Sequence, residues 1–246
     1  MINKDTKEIT LNQYEISEKF IFYGTEIKDW NVIFNSSEKD LINERPYKRD
    51  ENMIGGCITF INSKFENISI KILNNTCAKG VEVLNSDGSF SDIFIKRSRL
   101  DAFDAEFSNI DIKKIFIQGA IGECIGLKRG KYKIFGAILN DCLDHSISVG
   151  EHAELEADKV IVNNSGSGKY GNARYHKKFG LKGIMAKDSA KITLHEYKNI
   201  NSRKCILSIR KKNYYDGAIV KIKKSNFSCD IAEGINKDKY SIVEFF

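Results

Sequence analysis

The chain has 246 residues, with 39 Lys plus Arg against 33 Asp plus Glu, 41% apolar and 29% charged residues, and a formal charge of +6. This is the composition of one folded domain, with or without a small appendage, and it excludes a disordered tail. No apolar run approaches the roughly 20 residues of a membrane-spanning helix, and the opening MINKDTKEIT lacks the apolar stretch and cleavage site of a signal peptide. The expectation is a chain with no membrane span, cytoplasmic by default.

A single proline, Pro46, against 18 glycines and many Ile, Asn, Lys and Ser residues predicts short strands joined by polar turns. Residues 1–56 read as a cap with irregular first coils. Lys19-Phe20-Ile21-Phe22-Tyr23 and Trp30-Asn31-Val32-Ile33-Phe34 are strand-like, and Asn43 to Asn52 is a charged loop. From Cys57 to Phe227 the chain repeats. A first column, Val81, Phe103, Ile125, Ile147, Ile184 and Ile206, has intervals of 22, 22, 22, 37 and 22. A second, Phe90, Ile112, Ile134, Leu155, Ile192 and Tyr214, and a third, Ile93, Ile115, Ala137, Val160, Tyr197 and Ile219, keep nearly the same spacing. Each segment alternates apolar with polar residues, as strands with one inward face do.

Short repeats without a helix cannot bury an apolar face alone, but stacked about 4.8 Å apart they share one core. The prediction is an all-β, right-handed parallel β-helix, a solenoid of about 22 residues and three strands per coil. Residues 228–246, ending Ile-Val-Glu-Phe-Phe, read as a C-terminal coil or cap. The period, with turn phrases such as Asn85-Ser86-Asp87-Gly88 and Asn163-Asn164-Ser165-Gly166, resembles the right-handed parallel β-helix proteins of the pectate-lyase-like superfamily. Asp101-Ala-Phe-Asp104, Ile147-Ser-Val-Gly-Glu151 and Ala186-Lys-Asp-Ser189 resemble a poorly characterised bacterial branch of it. That resemblance implies a fold and an extended polysaccharide ligand, but the Asn-x-Asp, Asp-Asp, Gly-His-Gly and Arg-x-Lys series of polygalacturonases is absent, so no catalytic residue carries over.

The six cysteines, Cys57, Cys77, Cys124, Cys142, Cys205 and Cys229, include no C-x-x-C pair. This gives no support to zinc ribbons or thioredoxin-like sites and favours small buried thiols over a disulfide framework.

Residues one period apart are neighbours in a solenoid, so each column is a surface stripe. The pleat turns the Gly80, Glu82 and Leu84 columns outward. The Gly80 column is small throughout (Gly80, Ala102, Cys124, Ser146, Gly183, Cys205), and Gly126, Ser146, Ser148 and Gly150 form an expected low floor for an extended ligand. Beside it runs Lys79, Asp101, Glu123, His145, Lys182 and Lys204, in which His145 next to two carboxylates suits proton transfer. Asp101, Asp104, Glu106 and Glu82 gather carboxylates that suit general acid–base work on a glycoside, or a hard cation such as calcium at Asp101, Asp104 and Glu106. Lys128 over Glu106, and the turn column Arg129, Glu151, Asp188 and Arg210, suggest ordinary ion ladders instead. The candidate catalytic groups are therefore Asp101, Asp104, Glu106, Glu123 and His145.

A 15-residue insertion near 164–182 breaks the period. From Lys159 to Lys187 lie seven basic and no acidic residues, with Tyr170, Tyr175, His176 and Phe179 among them. Cations and rings suit an acidic polysaccharide. Lys128, Arg129, Arg174, Tyr175, His176, Lys177, Lys178 and Lys187 are the candidate contacts. His145 or His176 could serve as the base of a lyase. No nucleic-acid recognition motif accompanies the charge, which makes nucleic acid a poor partner. The apolar end of the outward stripe, Met185, Leu207 and Ile209, suits a protein partner and a non-catalytic interaction module.

Overall fold

The computed structural model describes residues 1–15, 18–36, 54–165, 182–202, 204–229 and 234–246. Every named element is a strand, and the strands form two sheets. One sheet is built from short strands: β3 (Phe20–Tyr23), β6 (Gly56–Ile61), β8 (Lys79–Leu84), β10 (Asp101–Glu106), β12 (Ile125–Lys128), β14 (His145–Gly150), β16 (Lys182–Lys187), β18 (Lys204–Ile209) and β20 (Ile235–Lys237). The other holds β1 (Ile2–Asn3), β2 (Glu8–Asn12), β4 (Glu26–Lys28), β5 (Asn31–Asn35), β7 (Lys64–Ile72), β9 (Asp87–Ser98), β11 (Asn109–Ala120), β13 (Lys131–Cys142), β15 (Glu154–Asn163), β17 (Lys191–Ile200), β19 (Ile219–Phe227) and β21 (Ile242–Phe245). From β6 to β21 the chain alternates between the sheets, and each strand pairs in parallel with its counterpart one repeat away. Among the described residues the one antiparallel pair is β1 with β2, at the edge of the long-strand sheet.

The register confirms the first column, since Val81, Phe103, Ile125, Ile147, Ile184 and Ile206 are paired in series. All of them are fully buried. An aromatic ladder extends this core: Phe60 packs on Phe90 at 5.9 Å and Phe90 on Phe103 at 6.0 Å between centroids.

The third column holds from Ile93 through Ile115, Ala137 and Val160 to Tyr197, but the second column beyond Ile134 and the three-strand reading need correction. Both columns run through one long strand per repeat, so a repeat contributes two strands and not three. Phe90 and Ile93 are both buried although three apart, which places Ser91 and Asp92 together on the outer side. The alternation changes phase there, and the ladder skips the same position in β11, β13, β15 and β17. The repeat from β13 to β15 is 23 residues long on this side, so Leu155 pairs with Tyr132 and Ala157 with Ile134. Beyond β17, Val220 and not Tyr214 follows Ile192, and Ser225 and not Ile219 follows Tyr197, because the intervening turn is longer. Tyr214 is exposed.

The turns have their own columns. Asn62, Asn85, Phe107, Arg129, Glu151 and Asp188 all take φ between 46 and 55°, a left-handed bend that follows each short strand from β6 to β16. Arg97, Gly119, Asp141, Asn164 and Asn201 do the same near the end of the long strands. Regular pairing starts earlier than residue 57: β3 already pairs with β6, and β2 with β5. At the other end β20 and β21 extend both sheets.

The expectation of free thiols is overturned. Cys57 is bonded to Cys77, Cys124 to Cys142 and Cys205 to Cys229. Each bond joins the small-residue position of one short strand to the segment entering the next. The bonded intervals are β6 to β8, β12 to β14 and β18 to β20, one in every third repeat. Small stacked residues thus serve a tight corner, and cysteine there is close enough to its neighbour to cross-link.

Candidate functional site

The corner where β8, β10, β12 and β14 begin gathers the predicted acidic groups. Asp101 pairs in register with Lys79, and its carboxylate accepts the Glu123 N–H at 2.8 Å. Glu123 in turn is one rung from His145, whose carbonyl accepts the Cys124 N–H. His145 is buried, with Nε2 3.4 Å from Asp144 Oδ1. Sequence reasoning missed Asp144, although its adjacency to His145 was the available signal. Asp144 is the most open member of the group, with 36% of its side chain exposed.

Two glycines make room for the carboxylates. A Cβ on Gly122 would meet Asp101 Oδ1 at 2.2 Å, and one on Gly126 would meet Asp104 Oδ1 at 2.6 Å and Glu123 Oε2 at 2.9 Å. Both acids therefore lean over the same backbone position. Burial raises the Asp101 carboxyl to about 6, helped by the charge of Asp104 and opposed by the hydrogen bond from the Glu123 N–H. Burial likewise raises Glu123 to about 7, with Lys187 opposing and Asp101, Asp104 and Asp144 adding to the rise. The corner thus holds protons near neutral pH. Glu123, Asp144 and His145 also bring three metal-ligating atoms within 4.8 Å of one another.

Asp104 and Glu106 are engaged differently from what the sequence suggests. Lys79 Nζ contacts Asp104 at 2.6 Å and also Glu82, whose carboxylate accepts the N–H groups of Gly55 and Gly56 at 2.8 and 3.0 Å. Glu106 pairs with Lys128. Lysine side chains already neutralise the two positions expected to hold calcium with Asp101. Burial, which outweighs its cations, still raises the Asp104 carboxyl. Arg129 bonds Glu151 at 2.7 Å as the ion-ladder reading anticipates, but Asp188 is buried and accepts the N–H groups of Lys211 and Lys212.

The outward face of the short strands is not an open floor. Thr59, Glu82, Asp104, Ser148, Met185 and Leu207 lie in register along it, and each is at least nine-tenths buried. Lys79 spans Glu82 and Asp104, and the Lys187 stem packs at Gly150. At its apolar end Met185 and Leu207 are likewise buried, and Ile209 is half-buried. A half-buried apolar stripe, exposed at Ile138, runs along the long-strand sheet, where Phe94, Phe116, Ile138 and Ile161 are in register. The Phe94 and Phe116 rings stack at 5.3 Å and 6°.

Of the predicted contacts, Lys128 and Arg129 serve ion pairs, and Lys187 lies near Glu123. Arg174, Tyr175, His176, Lys177 and Lys178 lie outside the described residues. The insertion that carries them leaves after β15 and returns at β16, where Lys182 is paired with His145. No protein-family model, curated protein or solved structure matches this chain.

Proposed function

We propose that the repeats wind as a right-handed parallel β-helix of the pectate-lyase-like kind, and that the chain binds an acidic polysaccharide and modifies it by acid–base chemistry at the Asp101–Glu123–Asp144–His145 corner. The observation that carries this reading is the convergence of those four groups where the basic insertion is rooted. The insertion, rich in cations and rings, attracts and holds the polymer. Glu123 keeps its proton close to neutral pH and acts as the general acid toward a glycosidic oxygen. Asp144, partly exposed and within 4.8 Å of it, attacks the anomeric carbon as the nucleophile as the leaving oxygen takes that proton, and water, deprotonated by Glu123, then cleaves the glycosyl–enzyme bond. Lys79 and Lys187 limit the negative charge that a polyanion meets there. Three disulfides add support, since such bonds persist in the oxidising surroundings where matrix polysaccharides occur.

The test is to incubate the protein with uronate-containing, sulfated and neutral polysaccharides and to measure binding, new reducing ends and unsaturated products. The expected result is binding to an acidic polymer and new reducing ends. Glu123→Gln should lower turnover at least 100-fold with binding retained, and changing Arg174, Lys177 and Lys178 to Ser should weaken binding. Absence of binding to every acidic polymer would sink the proposal. A second reading, a non-catalytic interaction module, is favoured by the Phe94, Phe116, Ile138 and Ile161 stripe, which borders a groove of about 310 Å³. In that case the corner variants are silent, and Phe116→Ser with Ile138→Ser abolishes partner binding.

A further inference from the structure

A second cluster of chemistry-bearing side chains stands on the long-strand sheet. His195 Nε2 lies 3.1 Å from Glu156 Oε1 and 4.0 Å from Asp158 Oδ1. All three atoms fall within 4.8 Å of one another. The change of phase in the long strands is what assembles them. Ala157 is in register with Leu194 and Lys159 with Glu196, so Asp158 and His195 occupy the skipped position on adjacent rungs. Glu156, two residues before Asp158, lies in register with Thr193.

A hydrogen-bonded pair accounts for only part of this arrangement. The Nε2 atom of an imidazole carries at most one proton, which Glu156 can accept. Asp158 is directed at the same nitrogen from beyond hydrogen-bond range. Of the nearby lysines, Lys159 bonds Glu196 at 3.7 Å and Lys191 bonds Glu154 at 2.9 Å, while Lys133, in register with Glu156, holds its Nζ 5.0 Å from the centre of the Phe135 ring. Ligands held about 2.0–2.2 Å from a tetrahedral zinc ion lie roughly 3.3–3.6 Å from one another, and the two distances to His195 bracket that range. At the corner, by contrast, lysines and bound protons already offset the carboxylates.

We propose that Glu156, Asp158 and His195 form a binding site for a divalent first-row transition metal ion of the zinc type. One imidazole nitrogen and two carboxylate oxygens hold the ion. Its remaining positions face solvent, since all three side chains are roughly half exposed, and are open to water or to an oxygen of an anionic ligand. The imidazole favours this class over calcium and magnesium, which take oxygen ligands.

The whole chain should be titrated calorimetrically with zinc and cobalt chlorides, and separately with calcium chloride. One saturable zinc site is expected, with cobalt giving a visible absorption band of low coordination number. His195→Ala should weaken binding at least tenfold with an unchanged melting temperature, Glu156→Gln should weaken it in the same direction, and His145→Ala should leave it intact. No saturable zinc binding, equal affinity in His195→Ala, calcium binding as tight as zinc, or loss in His145→Ala alone would each overturn the proposal. The readout is metal binding itself, so it stands or falls separately from any polysaccharide activity.

Discussion

Glu123 shows how one partly buried carboxyl sets a pH dependence. Its value rises from 4.5 when unfolded to about 7, as Asp101 rises from 3.8 to about 6. Well below pH 4 both states are protonated and the stabilisation is complete. As the pH climbs, the unfolded chain ionises first, so this contribution is lost progressively until the folded groups have also ionised near pH 7. Glu123→Gln, which cannot ionise, should melt higher than wild type at pH 7.5 and show a smaller difference at pH 4, a comparison that thermal denaturation decides. Gly126 is the second residue with a specific consequence. Gly126→Ala places a methyl among the Asp104 and Glu123 oxygens and should cost about 1–3 kcal/mol in chemical denaturation. Gly136→Ala is its control, because a Cβ there meets nothing closer than the Lys113 carbonyl at 3.7 Å. Equal effects of the two would show that the carboxylates move aside freely. The small size of residue 126 was legible in the sequence, but its use as space for two acids depends on side chains from its own rung, Glu123, and from the rung before, Asp104.

Among elements, the short strands were the most legible. Their core residues alternate strictly and their spacing is constant up to the insertion, so the structure preserves the whole column from Val81 to Ile206, as against the Ile93–Tyr197 part of the third. The long strands misled because a phase change puts two outward residues in succession, and one extra residue between β13 and β15 moves the partner of Ile134 from Leu155 to Ala157. A constant sequence period has no means of showing where such a residue is absorbed. The cysteines were misread for a related reason. Their separations of 20, 18 and 24 residues are each close to one repeat, the spacing that puts two side chains side by side at a corner. Replacing Cys124 and Cys142 together by Ser should cost about 2–4 kcal/mol. Denaturant unfolding with and without reductant measures this, and reductant should affect the double variant less than wild type.

At the scale of the molecule, each repeat contacts mainly the one before and the one after, so stability is divided among interfaces between neighbours. Removing residues 85–106 joins Leu84 to Phe107 and keeps the register, because Leu84 and Glu106 are paired in adjacent strands. The shortened chain should retain a β-sheet circular dichroism spectrum and unfold cooperatively at a lower temperature. Collapse to an unfolded chain would argue that the ends of the array depend on each other. The same stacking explains why the acidic corner exists at all: Lys79, Asp101, Glu123 and His145 are each about 22 residues from the next, so they meet only when the repeats are in register.

The sequence by itself determined the β class, the parallel repeat, the inward column and the rungs on which the acidic residues stand, because alternation and period are local properties of a chain. Tertiary structure decided which acids remain available. It committed Asp104 to Lys79 and Glu106 to Lys128, closed the short-strand face, added Asp144 to the corner, and brought His195 to Glu156 and Asp158. Those outcomes depend on burial and on distances of a few ångströms across rungs, which a column of residue types does not contain.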